Sequence, residues 1–427
     1  LLAYCLSIIL CVSFTGCMEN YLDLYPEDKI TSASFPENES DIKLLLNGVY
    51  AQLREKEVYN QGLFGFGITD GATPNAFNWG TDEVFNKLGA GRLSSSDGGV
   101  VTYRWKRCYE IISRANYLLA CMDLVDLSEE AKAKYSGETH FLRGLAYSVL
   151  AETYGGVPII LTDISTEEAR SLKRASLEET WQQALDDYEV AITNLGVDAP
   201  EPGRATKGAA LGMKMRAYLY QGKYKEVLSC VEQIDALKKY GLFHSYEGLF
   251  DPANENNKEV LFDIQYIEGE NSQGSYIDQY CGTGTGSWTR GSRYVPTDDL
   301  VAAYETIDGS PVDPENPYEN RDPRLGFTAV LPGSYFLGYR FPNYLYPGGA
   351  FNHAGNRLKH LSTRKYRIQD ESKLPPSGQS YINDIILRYA DVLLSKAEAI
   401  IETNGNVADA IAIINRIRTE RDDVKIS

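Results

Sequence analysis

The sequence is poor in the side chains that usually carry metal or nucleophilic chemistry. Its 427 residues include four histidines and seven cysteines. No two histidines stand at the spacing of a metal site, and no Cys-x-x-Cys pair occurs. The patterns His-Glu-x-x-His, Gly-x-Ser-x-Gly and Gly-x-x-x-x-Gly-Lys-Ser/Thr are also absent. We therefore predict no metal, no cofactor and no catalytic centre of these kinds, and expect that the protein is not an enzyme.

Positive charge is also in deficit. The chain has 42 Lys and Arg residues against 59 Asp and Glu residues, a net charge of −17. An acidic surface repels phosphate backbones, which excludes nucleic-acid binding through a basic face. With 43% hydrophobic and 11% aromatic residues, the composition is that of an ordinary globular protein and not of a disordered one.

The amino terminus carries an apolar run that is too short to cross a membrane. Residues 1–14 contain no charged side chain, but a spanning helix needs about 20 apolar residues. The run instead resembles the apolar part of a secretory signal, and small residues then precede Cys17 as in bacterial lipoproteins. We expect an incomplete signal peptide over residues 1–16 and a lipid anchor at Cys17. The alternative is a plain secretory signal with an incidental cysteine.

The middle of the chain has the periodicity of amphipathic helices. Apolar residues recur every three or four positions from Trp105 and again from Trp181, so both indoles are predicted to pack in the core. Ser176 and Glu179 have the spacing of a capping box for the second of these helices. A further helix is predicted over about 131–154, where a Gly-Gly-Val-Pro sequence ends it.

Two segments have the pattern of helical hairpins. Residues 209–237 are interrupted at Gly222, and residues 385–418 are interrupted at Gly405. Helix, tight turn and helix is the unit of tetratricopeptide repeats, whose stacked pairs bury a continuous core. The fold predicted from the sequence is mainly α, a tetratricopeptide-like scaffold of helical hairpins.

Two long segments interrupt this scaffold. Residues from about 272 to 378 are rich in Gly, Pro, Asn, Ser and Tyr and have few long apolar stripes. Residues 60–99 are similar in being Gly-rich, and they contain Phe64, Phe66, Phe77 and Trp79. Their aromatic content argues against disorder, so we expect loop-rich and aromatic-rich excursions. The acidic segment 308–313 is compatible with a bound Ca²⁺, but it is not an EF-hand loop, and a solvated turn is favoured.

The excursions contain the candidate ligand-binding residues. Trp79 and Trp288 lie on no helical stripe and are surrounded by Gly, Ser and Asn. Flat indole faces suit the apolar faces of sugars, and neighbouring Asn78, Arg293 and Tyr294 can hydrogen-bond hydroxyl groups. The alternative for each tryptophan is packing against the scaffold. For the seven aromatic residues between positions 335 and 351, packing or an interface is favoured over a pocket.

The segment of residues 143–158, which ends in Tyr-Gly-Gly-Val-Pro, is the most specific of several segments with a shared resemblance. They resemble the SusD/RagB family, the surface lipoproteins of Bacteroidetes nutrient-uptake systems. The other matching segments, in chain order, are residues 21–26, 46–53, 204–210, 320–325 and 387–399. The acidic residues that follow Cys17 resemble the surface-export signal of this family. The resemblance extends from residue 17 to about residue 421.

This resemblance implies a fold, a function and a partner. The family combines tetratricopeptide-like helix pairs with a variable loop-rich region and binds glycans without catalysis. Its members act as lids on TonB-dependent, SusC-like outer-membrane transporters, and the lipid anchors them at the cell exterior. Peptide capture or a purely structural lid is the alternative. Glycan-binding aromatics of the family lie on variable loops, so none of the five candidates is assigned by a motif.

The resemblance also suggests how the chain is divided. We expect an N-terminal SusD-like helical region over residues 17–240 and a C-terminal SusD/RagB region over residues 241–427. The second region is expected to be truncated, since the family's closing helices are not found in the sequence.

Overall fold

The structure, a computed structural model, is mainly helical. It describes residues 35–54, 70–78, 87–269, 274–275, 277, 294–337, 339–341, 361–376 and 379–426. Numbered along these residues, the helices are α1 (Glu39–Ala51), α2 (Val100–Cys121), α3 (Glu129–Tyr154), α4 (Thr166–Ser171), α5 (Leu177–Asn194), α6 (Lys207–Tyr220), α7 (Tyr224–Ala236), α8 (Asp298–Ala303), α9 (Pro323–Thr328), α10 (Tyr389–Glu402) and α11 (Val407–Thr419).

The described strands are short and form two-stranded antiparallel ribbons. They are β1 (Ala76–Asn78), β2 (Val260–Ile264), β3 (Tyr294–Pro296), β4 (Ala329–Val330), β5 (Tyr335–Phe336), β6 (Tyr339–Arg340), β7 (Ser362–Thr363) and β8 (Asp384–Arg388). β1 pairs with β3, β2 with β8, β4 with β7, and β5 with β6. Three of these ribbons join segments that are far apart in the sequence.

One large hydrophobic core joins the two ends of the described chain. Ile42 of α1 and Ile417 of α11 belong to the same buried cluster, together with Phe262 of β2 and Leu387 of β8. The helical hairpins therefore pack on each other and on the β2–β8 ribbon. A mainly α, tetratricopeptide-like scaffold with loop-rich excursions is confirmed.

The predicted helix boundaries have the expected local causes. The Glu179 amide donates to Ser176 Oγ at 3.1 Å, and the Ser176 amide donates to Glu179 Oε2 at 2.7 Å, which completes the capping box. α3 ends at Gly155, whose φ of +75° suits a residue without a side chain. Trp181 is buried, and Trp105 packs against the core.

The first helical hairpin is confirmed, and the second begins later than predicted. α6 and α7 are joined through Gly222, whose φ is +67°. In the second hairpin, the residues before Tyr389 form strand β8 and not the start of a helix. They pair with β2, and the Tyr389 amide donates to the Glu259 carbonyl at 2.7 Å. Long-range pairing thus takes precedence over the apolar pattern that continues into α10.

A buried ionic network ties α3 to α5. Arg143 Nη2 lies 2.7 Å from Asp187 Oδ1, and the Arg143 Nη1 atom donates to Asn116 Oδ1 at 2.8 Å. The same Asp187 oxygen lies 2.7 Å from His140 Nδ1. Burial opposes ionisation of Asp187, but the hydrogen bonds with His140 and Arg143 hold its pKa below the usual range.

The described cysteines are buried thiols. Cys108, Cys121 and Cys230 are buried and form no disulfide. Burial raises the pKa of the Cys108 thiol to about 12 and that of Cys230 to about 11. Cys281 lies outside the described residues.

Candidate functional site

The β1–β3 ribbon brings the two predicted ligand-binding segments to one place. Its antiparallel register sets Ala76 opposite Pro296, Phe77 opposite Val295, and Asn78 opposite Tyr294. The Thr297 amide also donates to the Asn75 carbonyl at 3.1 Å, which extends the contact beyond the strands. Two of the five predicted residues, Asn78 and Tyr294, are thus direct partners.

The remaining predicted residues lie outside the part of the chain that the structure describes. Trp79 directly follows Asn78 in the sequence, and Arg293 directly precedes Tyr294. Trp288 and the predicted lipidation site Cys17 are outside it as well. The functional assignment of these four residues, like that of Asn78 and Tyr294, stays a prediction.

The two strands of the ribbon differ in their exposure. Phe77 of β1 is 42% exposed, whereas Val295 of β3 is buried. Thr297 caps α8, since its Oγ1 accepts a hydrogen bond from the Leu300 amide at 3.1 Å. The ribbon is therefore anchored through β3 and α8 and presents an aromatic side chain on β1.

A cavity of about 220 Å³ lies beside this ribbon. The residues that line it include Ala76, Tyr246, Pro296, Tyr304 and Lys365. Tyr304 Oη lies 2.9 Å from Thr328 Oγ1, and burial raises the pKa of Tyr304 to about 12. Burial also disfavours the Tyr246 phenolate, but the positive charge of Lys365 helps to lower the pKa of that group. The hollow is thus amphipathic, with phenol hydroxyls and one ammonium group.

A second and larger cavity of about 420 Å³ adjoins the first, and we call it the interface cleft. The helical scaffold forms one wall and β8 with the segment after β7 forms the other. Asp70 and Lys365 line both cavities. Sequence analysis did not single out the lining residues Arg104, Lys365 or Asp384. A signal exists for Arg104, which stands four residues before Cys108 on the apolar stripe of α2.

The predicted aromatic cluster is partly a small core. Phe336 and Phe341 are buried together with Val330 and Leu337. Tyr335, on the same ribbon, is 67% exposed. The predictions for Tyr344, Tyr346 and Phe351 lie outside the described residues.

The acidic segment 308–313 forms a turn. Asp308 Oδ1 accepts a hydrogen bond from the Ser310 amide at 3.0 Å, and Gly309 has a φ of +74°. The hydrogen bonds from Ser310 lower the pKa of Asp308 to about 2. Among the described residues, no three His, Cys, Asp or Glu side chains are grouped as a metal site.

Comparison with known proteins identifies the family. The family model described as SusD family matches residues 258–421, and the model described as starch-binding associating with outer membrane matches residues 20–219. A SusD-like protein of Formosa agariphila is 26% identical, over 94% of this chain and 78% of its own length.

Solved structures agree with these matches. A SusD-like carbohydrate binding protein from Bacteroides fragilis is 26% identical with a TM-score of 0.80, over 91% of this chain and 79% of that one. A laminarin binding SusD-like protein is 20% identical with a TM-score of 0.65, over 92% and 86% of the two chains, and shows the fold alone. The fold and these matches define a SusD-like helical protein. The chain belongs to the SusD/RagB family.

The family model that matches residues 20–219 describes proteins that associate with the outer membrane. A search of the described helices for one long and apolar enough to span a bilayer finds none.

Proposed function

We propose that the chain is a non-catalytic glycan-binding lipoprotein of the outer membrane. It captures an oligosaccharide or polysaccharide at the end of the β1–β3 ribbon and delivers it to a TonB-dependent, SusC-like transporter. The relative from Bacteroides fragilis that is named for carbohydrate binding supports the ligand class, and so does the starch-binding family model that matches residues 20–219. The anchor at Cys17 and the exterior orientation belong to the same proposal and rest on the sequence pattern.

The single observation that carries the proposal is the register of the ribbon. Asn78 and Tyr294 are paired although 215 sequence positions separate them. Each is next in sequence to a segment with a predicted binding residue, Trp79 on one side and Arg293 on the other. Two aromatic-bearing sequence segments that adjoin one paired position of an anchored ribbon suit a ligand that offers apolar ring faces and hydroxyl groups.

Charge is compatible with this ligand class. The net charge of −17 disfavours polyanionic nucleic acid but does not oppose a neutral glycan. Exposed Phe77 supplies a further apolar contact on the described part of the ribbon. Binding of neutral sugars then depends on stacking and hydrogen bonds, and it is expected to vary little with salt.

The test is binding of the purified protein to a panel of neutral polysaccharides by affinity electrophoresis and calorimetry. Trp79→Ala and Trp288→Ala are each expected to weaken the strongest interaction at least about tenfold, the loss of one stacking contact of roughly 1.4 kcal/mol. Tyr117→Ala, an exposed aromatic change on α2, is the matched control. Binding that both tryptophan variants retain in full removes these site assignments. A peptide mixture in the same assay tests the alternative, and selective peptide binding overturns the glycan assignment.

A further inference from the structure

The interface cleft contains a buried guanidinium group with an unsatisfied donor. Arg104 lines the cleft and is only 8% exposed to solvent. Its Nε atom has no hydrogen-bond partner within the described structure. The ion pairs described on the same helix join Lys106 and Arg107 to Glu110 and do not involve Arg104. A buried donor without a hydrogen-bond partner costs about 1–3 kcal/mol, so the fold tolerates a cost at this position.

The other cations of the cleft differ in how far they are already neutralised. Arg216 Nη2 lies 2.6 Å from Asp391 Oδ2, and Arg388 Nη1 lies 2.9 Å from Glu259 Oε1. Lys365 forms no described ion pair, and its Nζ atom instead sits 4.4 Å from the centroid of the Phe250 ring. Arg104 and Lys365 are thus the two cationic side chains of the cleft that can bind an anion without loss of a described ion pair.

The acidic residues of the cleft supply the complementary chemistry. Asp70, Glu152 and Asp384 line the same cavity and can accept hydrogen bonds from hydroxyl groups. Burial, together with the nearby Asp263 and Asp70 carboxylates, raises the pKa of Asp384 to about 7. This carboxyl group is therefore only partly charged at neutral pH and repels an anion less than an ordinary aspartate does.

The interface cleft also has the size and the apolar surface of a small-molecule site. About 420 Å³ falls within the roughly 300–1,000 Å³ of typical small-molecule sites. Trp181 and Tyr220 contribute aromatic surface to the wall on the scaffold side. A small ring with hydroxyl groups on its rim and one oxyanion would use all of these features.

We propose that the interface cleft is a second binding site, for a polyhydroxylated carboxylate with the chemistry of a uronic acid. Arg104 receives the carboxylate in the paired, planar arrangement that guanidinium favours, and Lys365 adds a second positive charge. The acidic residues receive the hydroxyl groups. The site is separate from the proposed capture of glycans at the β1–β3 ribbon and does not depend on it.

The experiment is calorimetric titration of the full chain with glucuronate, with glucose and with acetate. Glucuronate is expected to bind at one site, and glucose and acetate are each expected to bind at least about tenfold more weakly, because each lacks one of the recognised groups. Acetate that binds as well as glucuronate overturns the role of the hydroxyl groups. Glucose that binds as well overturns the role of the carboxylate. Absence of glucuronate binding overturns the whole site.

Two variants separate a binding role of Arg104 from a structural one. Arg104→Met is expected to abolish glucuronate binding and to raise or preserve the Tm of the ligand-free protein, since it removes a buried donor that has no hydrogen-bond partner. A lower ligand-free Tm, or a variant that does not fold, identifies Arg104 as structural and overturns the proposal. Lys365→Gln is expected to weaken binding at least about tenfold, and an unchanged affinity contradicts its role. Arg114→Gln, an exposed change on the same helix, is the matched control.

Failure here is distinguishable from failure of the proposed function. The ribbon is tested with neutral polysaccharides and tryptophan variants, and the cleft with an acidic monosaccharide and Arg104→Met. Loss of one result leaves the other standing.

Discussion

Arg143 and Asp187 form a buried ion pair that fastens α3 to α5. Their closest atoms, Nη2 and Oδ1, are 2.7 Å apart, and the two side chains are almost fully buried. His140 and Asn116 satisfy further polar atoms of the pair. A buried pair of this kind adds little net stability when it is intact, but removal of one charge leaves the other uncompensated.

Asp187→Asn is therefore expected to lower the free energy of unfolding by about 3–5 kcal/mol, because Arg143 keeps its charge in a buried site. Urea denaturation followed by circular dichroism measures the change. Asp186→Asn, at the exposed neighbouring position, is the control and is expected to change stability by less than about 0.5 kcal/mol. Equal effects of the two substitutions would contradict the role of the pair.

Gly156 allows two backbone segments to approach closely after α3. A Cβ atom at this position would lie 2.0 Å from the Ala175 carbonyl oxygen and 2.8 Å from the Ser176 carbonyl carbon. Gly156→Ala is expected to destabilise the protein by about 3 kcal/mol or more, since backbone atoms must move. The Tm from differential scanning calorimetry tests this.

Gly98→Ala provides the control for the close approach at Gly156. Its added Cβ atom would find its nearest neighbour, Thr102 Oγ1, at 3.9 Å. We expect no more than a small change in Tm from this substitution. A Gly156→Ala protein as stable as the control would show that the two segments separate without cost.

Three carboxyl groups near the β2–β8 ribbon predict a pH dependence of stability. Burial raises the pKa of Asp384 to about 7, of Glu255 to about 7 and of Asp263 to about 6. The unfolded values are about 4, so between pH 4 and pH 7 the native state binds more protons than the unfolded state. Stability contributed by these groups is present at low pH and is lost as the pH rises through the native pKa values.

Asp384→Asn is accordingly expected to raise the Tm at pH 8 and to reduce the fall in Tm between pH 5 and pH 8, because the amide carries no charge to desolvate. Thermal unfolding at a series of pH values measures this slope. Asp126→Asn, at an exposed position, should leave the slope unchanged. A steeper slope in the Asp384 variant would reverse the assigned sign.

The buried thiols of the scaffold are expected to resist alkylation in the native protein. Burial raises the pKa of Cys108 to about 12 and that of Cys230 to about 11, so little thiolate forms at pH 8. Peptide mapping after iodoacetamide treatment should find both residues unmodified in the native state and modified in denaturant. Rapid native labelling of either would contradict its burial.

The helical scaffold could be predicted because its stripes are long and periodic. The capping box at Ser176 and the glycine at the end of α3 are local signals, and local hydrogen bonds produce them in the structure. Strand β8 could not be separated from α10, because its short apolar run also fits the helix pattern and only pairing with β2 decides the outcome.

The candidate sites are formed by residues that are far apart in the sequence, so their composition could not be predicted from the sequence alone. Aromatic residues near 79 and 288 suggested a ligand, but only the register of Asn78 with Tyr294 joins the two segments. The interface cleft is lined by residues from at least five separate helices and strands. A charge at Arg104 on an apolar stripe is the one local signal that pointed to it.

Strand β8 passes into α10 without an intervening residue, since Arg388 ends one and Tyr389 begins the other. The strand forms part of the cleft wall, and the helix forms half of the last hairpin. No residue lies between the strand and the helix to absorb a change of angle. A contact that tilts the last hairpin is therefore expected to be transmitted directly to the wall of the cleft.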